Sequence, residues 1–293
     1  MIKPKTVVII GVIAVSFSAV FVRLSTAPAP TIAFWRLLIA TVFTAALAIK
    51  SRHDFRRPQG NELLQTGLAG LFLALHFWTW FESLKLTTVA SSTVLVATQP
   101  LFVILTTRLI WGERLSAGAI RGLIIALVGT LLIAMSGRTG LGQFAGNLLA
   151  VLAAIFAAAY FLVGSRARRT MEVNTYTFWT YLVCTLVLGL LVGLGPFPFR
   201  PEAPIDWFAF AALGIICHIG GHTSLNWALG YVSPSLVSTA ILGEPVGATL
   251  WAWLLFSEIP TLGELAGGIL VIVGLFIFLS HPTPSTGRMI SRK

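Results

Sequence analysis

Residues 232–256, VSPSLVSTAILGEPVGATLWAWLLF, form an apolar run long enough to cross a bilayer, yet a charged residue lies at its middle. A carboxylate at the depth of Glu244 costs about 2.5 kcal/mol or more on insertion scales, so such a residue is rarely accidental. Pro245 follows it directly, removes one backbone donor and kinks the helix. The stretch therefore predicts a membrane helix whose break carries an acid.

A polar residue followed by proline also occurs in the first part of the chain, where Gln99 and Pro100 lie inside the apolar run 87–110. Pro100 precedes Pro245 by 145 residues. The same offset, or one of 144, relates Glu113 to Glu258, Gly122 to Gly267, Gly129 to Gly274, and Phe34-Trp35-Arg36 to Phe178-Trp179-Thr180. A spacing shared by several pairs predicts two related halves, residues 1–139 and 140–293.

Composition places the chain in a membrane. It is 56% hydrophobic and only 10% charged, whereas soluble domains carry about 25% charged residues. The net charge of +10 would suit nucleic acid, but the basic residues cluster in short loops, which is the positive-inside pattern. We expect a lipid bilayer and a small molecule as partners, and no nucleic acid. Cys184 and Cys217 lie in apolar runs, and no CxxC motif is present.

The N-terminus resembles a secretory signal peptide. Lys3 and Lys5 precede an apolar stretch, and Ala27-Pro28-Ala29 resembles a cleavage site. Pro30 would follow the cut, however, and removal would delete an element of the first half. We therefore expect this segment to be retained as the first spanning helix.

Ten apolar runs reach spanning length and predict an all-α integral membrane protein of ten transmembrane helices. They are 5–24, 30–50, 63–84, 87–110, 117–136, 145–166, 174–195, 207–229, 232–256 and 262–280. Because five helices per half is an odd number, the second half must enter the membrane inverted relative to the first. Inverted repeats are the usual frame of secondary transporters, with the substrate site near the midplane where the halves meet.

The distribution of Lys and Arg predicts the orientation. With the N-terminus in the cytoplasm, fifteen of these residues fall in inner segments and four in outer ones. The remaining basic residue, Arg36, lies within the second helix. We expect both termini in the cytoplasm and a multi-pass protein of the inner (plasma) membrane.

The helix pairs that close the two halves, GERLSAGAIRGLIIALVGTLLI and SEIPTLGELAGGILVIVGLFI, resemble those of the drug/metabolite transporter superfamily, EamA family. The resemblance covers nearly the whole chain. It implies export of amino acids or other small metabolites across the bacterial inner membrane. Within the family, the aromatic and histidine content of helices 3 and 8 is most similar to the aromatic amino acid exporter group.

Helix 3 contains LHFWTWFES, which places His76, Thr79, Trp80 and Ser83 on one face. We predict a wall of the transport pathway, where Trp80 stacks on the substrate and His76 binds one of its charged groups. The alternative is that Trp80 belongs, with Trp78 and Phe81, to an aromatic belt at the membrane interface.

Helix 8 contains CHIGGHTSLNW, in which His218, His222 and Asn226 recur every four residues. Two histidines at this spacing can bind a metal, but no Glu follows the first one and no carboxylate partner is evident. We therefore expect no metal and no cofactor. The pattern favours a polar stripe, with His222 in contact with substrate.

Helices 4, 6 and 9 supply the remaining candidates for substrate binding: Gln99, Tyr160, Ser238 and Glu244. Gln99 occupies the position of Glu244 in the other half. Glu244 has three open roles: it binds a substrate ammonium, carries a proton, or pairs with Arg36 as a structural acid. Pro100 and Pro245 are the predicted hinges.

The sequence contains no GxSxG, HExxH, Walker or Rossmann motif, so we predict that the protein is not an enzyme. The hypothesis is a secondary transporter that exports aromatic or broadly hydrophobic amino acids by alternating access. Two alternatives stay open: a transporter of other metabolites or drugs, and an intramembrane metal-dependent enzyme that uses His218, His222 and Glu244.

Overall fold

A computed structural model describes residues 3–50, 56–87, 89–112, 115–135, 143–256, 259 and 261–281, and regular structure within these ranges is helical. The helices are α1 (Pro4–Leu24), α2 (Ala29–Lys50), α3 (Asn61–Leu86), α4 (Val89–Val96 and Gln99–Trp111), α5 (Ala117–Met135), α6 (Gln143–Ala167), α7 (Val173–Leu194), α8 (Pro204–Ala228), α9 (Pro234–Ala240, Ile241–Gly243 and Glu244–Phe256) and α10 (Leu262–Ser280). The ten predicted helices are confirmed to within a few residues at each end. Glu113 and Glu258 lie outside the described residues.

The outer surface of the helical bundle is apolar. Within the described residues, six helices are long and apolar enough to cross a membrane, and two further apolar helices are shorter. Leu109, Leu194 and Phe276 are each more than 70% exposed on this surface. Apolar side chains such as these suit contact with lipid. The helices that carry them satisfy their own backbone hydrogen bonds, as a membrane-spanning segment requires. The protein is an all-α membrane protein.

Helices α5 and α10 pack against each other through glycines that recur in both halves. A Cβ atom added at Gly122 would lie 2.7 Å from the carbonyl oxygen of Gly274, and one at Gly129 would lie 2.5 Å from that of Gly267. Gly122 corresponds to Gly267 and Gly129 to Gly274, so exchange of the halves converts one contact into the other. This reciprocity is what a two-fold relation between inverted halves requires, and small residues permit the close approach.

Helices α2 and α7 meet at corresponding positions. The hydroxyl oxygens of Thr41 and Thr185, which are 144 residues apart, lie 2.9 Å from each other. A contact between corresponding residues places both of them beside the two-fold axis. The axis therefore passes between α2 and α7 as well as between α5 and α10.

Two corresponding tryptophans hold loops on opposite faces of the bundle. Trp35 donates its indole N–H to the carbonyl oxygen of Phe199 at 2.6 Å, in the loop after α7. Trp179 donates to the carbonyl oxygen of Arg56 at 3.1 Å, in the loop after α2. Each tryptophan thus fixes the loop that follows the helix of the other half.

Acids in the first turns of α3 and α8 hold further loops. Glu62 accepts two hydrogen bonds from the Arg56 guanidinium, at 2.5 and 2.6 Å. Asp206, which is 144 residues further along the chain, accepts from the Ser25 hydroxyl at 2.8 Å and the Thr26 backbone N–H at 2.7 Å. The two halves therefore use related devices at both ends of the bundle.

Helices α4 and α9 are interrupted where the prolines predict. In α4 the helix stops after Val96 and restarts at Gln99, while α9 becomes a short 3₁₀ turn before Glu244. Pro100 and Pro245 fall in the first turn of each new segment, where a missing backbone N–H does no harm. The first segment of α4 contacts the last of α9, and the last of α4 contacts the first of α9. The two broken helices are therefore antiparallel and cross near their breaks.

Candidate functional site

Polar and aromatic side chains concentrate inside the bundle around the ring of Phe77, on α3. The guanidinium carbon of Arg36 lies 4.2 Å from the ring centre, and the centres of three imidazole rings lie within 5.6 Å. The residues that we call the central cluster are Arg36, His76, Phe77, Trp80, His218 and His222. Each of them is less than a tenth exposed.

Arg36 reaches the cluster from α2 and is fully buried. Its Nε–H donates to His218 Nδ1 at 3.3 Å, and its Nη1 donates to the Ser18 hydroxyl at 3.4 Å. Because a guanidinium can only donate, His218 Nδ1 must be the acceptor. His218 is therefore a neutral imidazole with its proton on Nε2.

Helix α8 departs from α-helical geometry where it enters the cluster. Residues Leu213–Thr223 form a π-helix, a wider turn that often marks functional sites. His218 and His222 stack in this segment with ring centres 5.1 Å apart. Gly221 lets Val15 of α1 approach, since a Cβ there would lie 2.5 Å from a Val15 methyl group. The widened helix and the glycine together bring two histidines and a neighbouring helix into close contact.

A hydrogen-bond network extends from the cluster toward α6 and α7. Asn226 donates to the hydroxyl oxygens of Tyr160 at 2.5 Å and Tyr181 at 3.1 Å. The Tyr181 hydroxyl also lies 3.0 Å from that of Thr223, and its ring contacts His218 edge to face at 4.3 Å. The ring of Tyr160 is 6.4 Å from His222. Tyr160 therefore lies at the margin of the cluster, held by Asn226.

On α3, His76 and Trp80 stack on each other with ring centres 5.7 Å apart. His76 Nδ1 lies 3.0 Å from the carbonyl oxygen of Ala153 on α6, to which it must donate. Thr79 donates to the carbonyl oxygen of Leu75 at 2.7 Å, within its own helix. Trp80 and Phe81 are buried, whereas Trp78 lines an apolar groove on the outside, between α3 and α7.

The candidates on α4 and α9 lie near the breaks. Gln99 and Glu244 are both buried, and the Ser238 hydroxyl donates to the carbonyl oxygen of Ser235 at 3.2 Å. Glu244 interacts electrostatically with Arg36, but the described residues contain no ion pair between them within 4.0 Å. Within the same residues, no hydrogen bond connects Gln99, Ser238 or Glu244 to the central cluster.

Among the residues that the structure describes, several buried polar atoms have no hydrogen-bond partner. They are Arg36 Nη2, Trp80 Nε1, Gln99 Nε2, Tyr176 Oη, Thr180 Oγ1, His218 Nε2, His222 Nδ1, Asn226 Oδ1 and Thr239 Oγ1. Most buried polar groups are hydrogen-bonded, and each unsatisfied one costs about 1–3 kcal/mol. Chemically, the set offers several ring, guanidinium and amide nitrogens, three hydroxyl groups that can donate or accept, and one amide oxygen that accepts.

Sequence reasoning missed two members of this site. Phe77 follows His76 directly and lies off the predicted face, yet it contacts more of the cluster than any of the predicted residues named for α3. Tyr181 follows Thr180, the residue that corresponds to Arg36 in the other half. That neighbourhood is the signal that could have identified Tyr181.

The ten helices of the described residues form two inverted halves, which is the fold of a multi-spanning membrane transporter. Two segments of the chain, residues 5–135 and 144–280, match the EamA-like transporter family. The protein belongs to that family.

Several curated relatives are named as exporters. The chain is 27% identical over 253 residues to the pseudopaline exporter CntI of Pseudomonas aeruginosa strain UCBPP-PA14, and the aligned region covers 85% of each protein. It is 30% identical over 190 residues to the aromatic amino acid exporter YddG of Ancylobacter novellus, covering 61% of this chain and 64% of the relative. A crystal structure with 20% sequence identity matches with a TM-score of 0.76 over 94% of this chain and 95% of the other, which shows the fold alone.

Proposed function

We propose that the protein is a secondary transporter that exports amino acids with aromatic or broadly hydrophobic side chains. Membership of the EamA-like family and the exporter relatives support a small-molecule exporter. The relative named as an aromatic amino acid exporter supports the substrate class. The observation that carries the proposal is that four unpartnered buried polar atoms of the described residues, on Arg36, Trp80, His218 and His222, lie together among aromatic rings in the central cluster.

The chemistry of the site suits a zwitterion with an apolar side chain. Small-molecule sites combine apolar walls with a few well-placed polar groups. Trp80 and Tyr160 supply aromatic walls, and His76 and His222 supply imidazole nitrogens beside them. The other proposed substrate-binding residues are Gln99 on α4 and Ser238 and Glu244 on α9. Thr79 on α3 is also proposed to contact the substrate. Glu244 is the group that would bind the ammonium.

Transport would proceed by alternating access: the two halves, residues 1–139 and 140–293, would move against each other and open the site to one side of the membrane at a time. Broken helices at the contact between inverted repeats are a common feature of such carriers. Pro100 and Pro245 would act as hinges, because each starts a new helical segment at the crossing of α4 and α9. In this proposal both termini lie in the cytoplasm, the protein spans the inner membrane, and it requires no cofactor and has no enzymatic activity.

Uptake into proteoliposomes tests the substrate class. Vesicles preloaded with unlabelled Phe should accumulate labelled Phe or Trp by exchange faster than protein-free vesicles, and excess unlabelled Met or Thr should compete if the range is broad. Trp80→Phe should raise KM in this exchange, and Trp78→Phe is its matched control, because Trp78 lines the outer groove. If no amino acid crosses faster than in empty vesicles, the amino acid assignment is wrong, and screening other metabolites and drugs would follow.

A further inference from the structure

We propose that Arg36 binds the carboxylate of the transported molecule, so that the protein selects ligands with a single carboxylate over the corresponding amines and amides. The inference rests on the proposed function and narrows its substrate class. It assigns the ligand's anionic group to α2, a helix from which no sequence argument drew a substrate contact.

The first argument is the burial of an unneutralised charge. Arg36 is fully buried, and a guanidinium stays protonated in proteins. No carboxylate in the described part of the chain lies within ion-pair distance of it, although Glu244 attracts it from further away. A buried ion without a counter-ion is strongly unfavourable, whereas a hydrogen-bonded partner offsets much of the cost. A ligand carboxylate would supply that partner.

The second argument is the direction in which Arg36 can still donate. His218 accepts from Nε and Ser18 accepts from Nη1, while the ring of Phe77 lies 4.2 Å from the guanidinium carbon. Nη2 is buried and has no hydrogen-bond partner among the described residues. The same environment that orients the guanidinium thus leaves one nitrogen for an incoming acceptor, and a charge-assisted bond there is the strong kind.

The third argument is asymmetry between the halves. Trp35 and Trp179 make equivalent contacts, yet the next residue is Arg36 in one half and Thr180 in the other. If the guanidinium served only the shared scaffold, the second half would need a similar group. A single cation in the central cluster fits one carboxylate, whereas a phosphate or a dicarboxylate favours several basic residues.

A ligand series on the full-length protein tests the inference. In exchange assays with labelled Phe, unlabelled Phe and 3-phenylpropionate, which keeps the carboxylate but lacks the amine, should compete. Phenylalaninamide and phenethylamine lack the carboxylate and should compete at least about tenfold more weakly, since a hydrogen bond to a charged group contributes about 1.5–3 kcal/mol. Equal competition by Phe and its amide would overturn the role of Arg36 and leave amino acid transport intact. Failure of every amino acid to exchange would instead contradict the proposed function.

Variants add a second readout. Arg36→Gln should remove the preference for Phe over phenylalaninamide, and Arg36→Lys should restore part of it, because an ammonium keeps the charge but not the planar fork. Arg57→Gln is the matched control, since it removes the same charge from an exposed loop position. The thermal shift of purified protein with saturating 3-phenylpropionate should disappear in Arg36→Gln and persist in Arg57→Gln. If Arg36→Gln does not fold, the ligand series on the unmodified protein decides by itself, and retained selectivity in a folded Arg36→Gln would contradict the inference.

Discussion

In the first half of the molecule the residue after Trp35 is Arg36, whereas in the second half the residue after Trp179 is Thr180. The tryptophans make equivalent hydrogen bonds to loops on opposite faces, at 2.6 and 3.1 Å. The residues beside them do not have equivalent partners, because only Arg36 carries a charge into the central cluster. The comparison teaches that the halves share the contacts that build the scaffold and differ where a ligand would bind.

Helices α3 and α8 show the same division within the backbone. Thr79 and Thr223 are 144 residues apart. The Thr79 hydroxyl donates to the carbonyl four residues earlier, at 2.7 Å, as a regular α-helix allows. The Thr223 hydroxyl donates to the carbonyl of His218, five residues earlier, at 3.4 Å. One half thus supplies a regular helical wall, and the other supplies a widened turn that exposes two histidines to the cluster.

The largest effect is expected from breaking a contact that the halves share. In Gly129→Val, the Cβ would lie 2.5 Å from the Gly267 carbonyl oxygen, which is backbone and cannot move aside alone. Overpacking usually costs about 1–3 kcal/mol, and a backbone clash lies at the upper end or beyond. We expect loss of monodisperse protein in size-exclusion chromatography. Gly67→Val is the control, because no atom of the described residues lies within 4 Å of its added Cβ. A well-folded Gly129→Val would show that the α5–α10 contact is not required.

A second change would make the two breaks chemically alike. Glu244→Gln gives α9 the amide that Gln99 gives α4, and the neutral group can no longer pair with a substrate ammonium. We expect amino acid uptake to fall at least about tenfold, because bonds to charged groups contribute about 1.5–3 kcal/mol. Uptake is measured with and without an imposed pH gradient.

The two arms of that measurement separate the roles of Glu244. If uptake falls but the gradient still changes the remaining rate, Glu244 binds substrate and is not the proton carrier. If the variant transports like the unmodified protein, Glu244 is a structural acid. Gln99→Glu in the Glu244→Gln background exchanges the acid between halves. We expect it not to restore uptake, because the residue that corresponds to Arg36 in the other half is the uncharged Thr180.

The sequence predicted the scaffold well for a physical reason. Span length and apolar composition are properties of each segment by itself. The equal spacing between corresponding residues of the two halves indicates a duplicated unit, and it can be seen without knowing how the helices pack. The breaks beside Gln99 and Glu244 could be placed because proline removes a backbone donor wherever it stands.

The site was less predictable because it depends on how helices face one another. Helical periodicity placed His76 and Trp80 on one side of α3, but only the packing of α2 and α8 against that helix makes Phe77 the centre. The π-helical segment Leu213–Thr223 has no signature in residue order that we could read, and it shifts the faces of α8. Arg36 was visible as the one Lys or Arg residue assigned to neither face of the membrane, yet its partners Ser18 and His218 were not.

A third prediction concerns the wall that α3 contributes. Trp80→Phe keeps an aromatic ring but removes the larger surface and the unpartnered N–H. Aromatic contacts contribute about 0.5–1.5 kcal/mol beyond area burial, so we expect KM for Phe exchange to rise about fivefold with a small change in maximal rate. Trp78→Phe should leave KM unchanged, because Trp78 lines the outer groove. If both variants behave alike, Trp80 does not contact the substrate, and its role is packing inside the bundle.

The smallest effect is expected from removing one of the two corresponding tryptophan–loop hydrogen bonds at a time. Trp179→Phe loses the bond to Arg56 on the face that carries the N-terminus, and Trp35→Phe loses the bond to Phe199 on the opposite face. Each exposed bond contributes about 0.5 kcal/mol, which corresponds to about a twofold change in the population of the state opened on that face.

A reporter cysteine at the buried position Thr239 measures this opening, with a membrane-impermeant thiol reagent applied to one face at a time. Trp179→Phe should speed labelling from the N-terminal face, and Trp35→Phe from the other. The protein without the reporter is the control, because Cys184 and Cys217 are both buried. If both variants speed labelling from the same face, the two tryptophan contacts are not equivalent gates. The halves would then share their architecture without sharing a mechanism of opening.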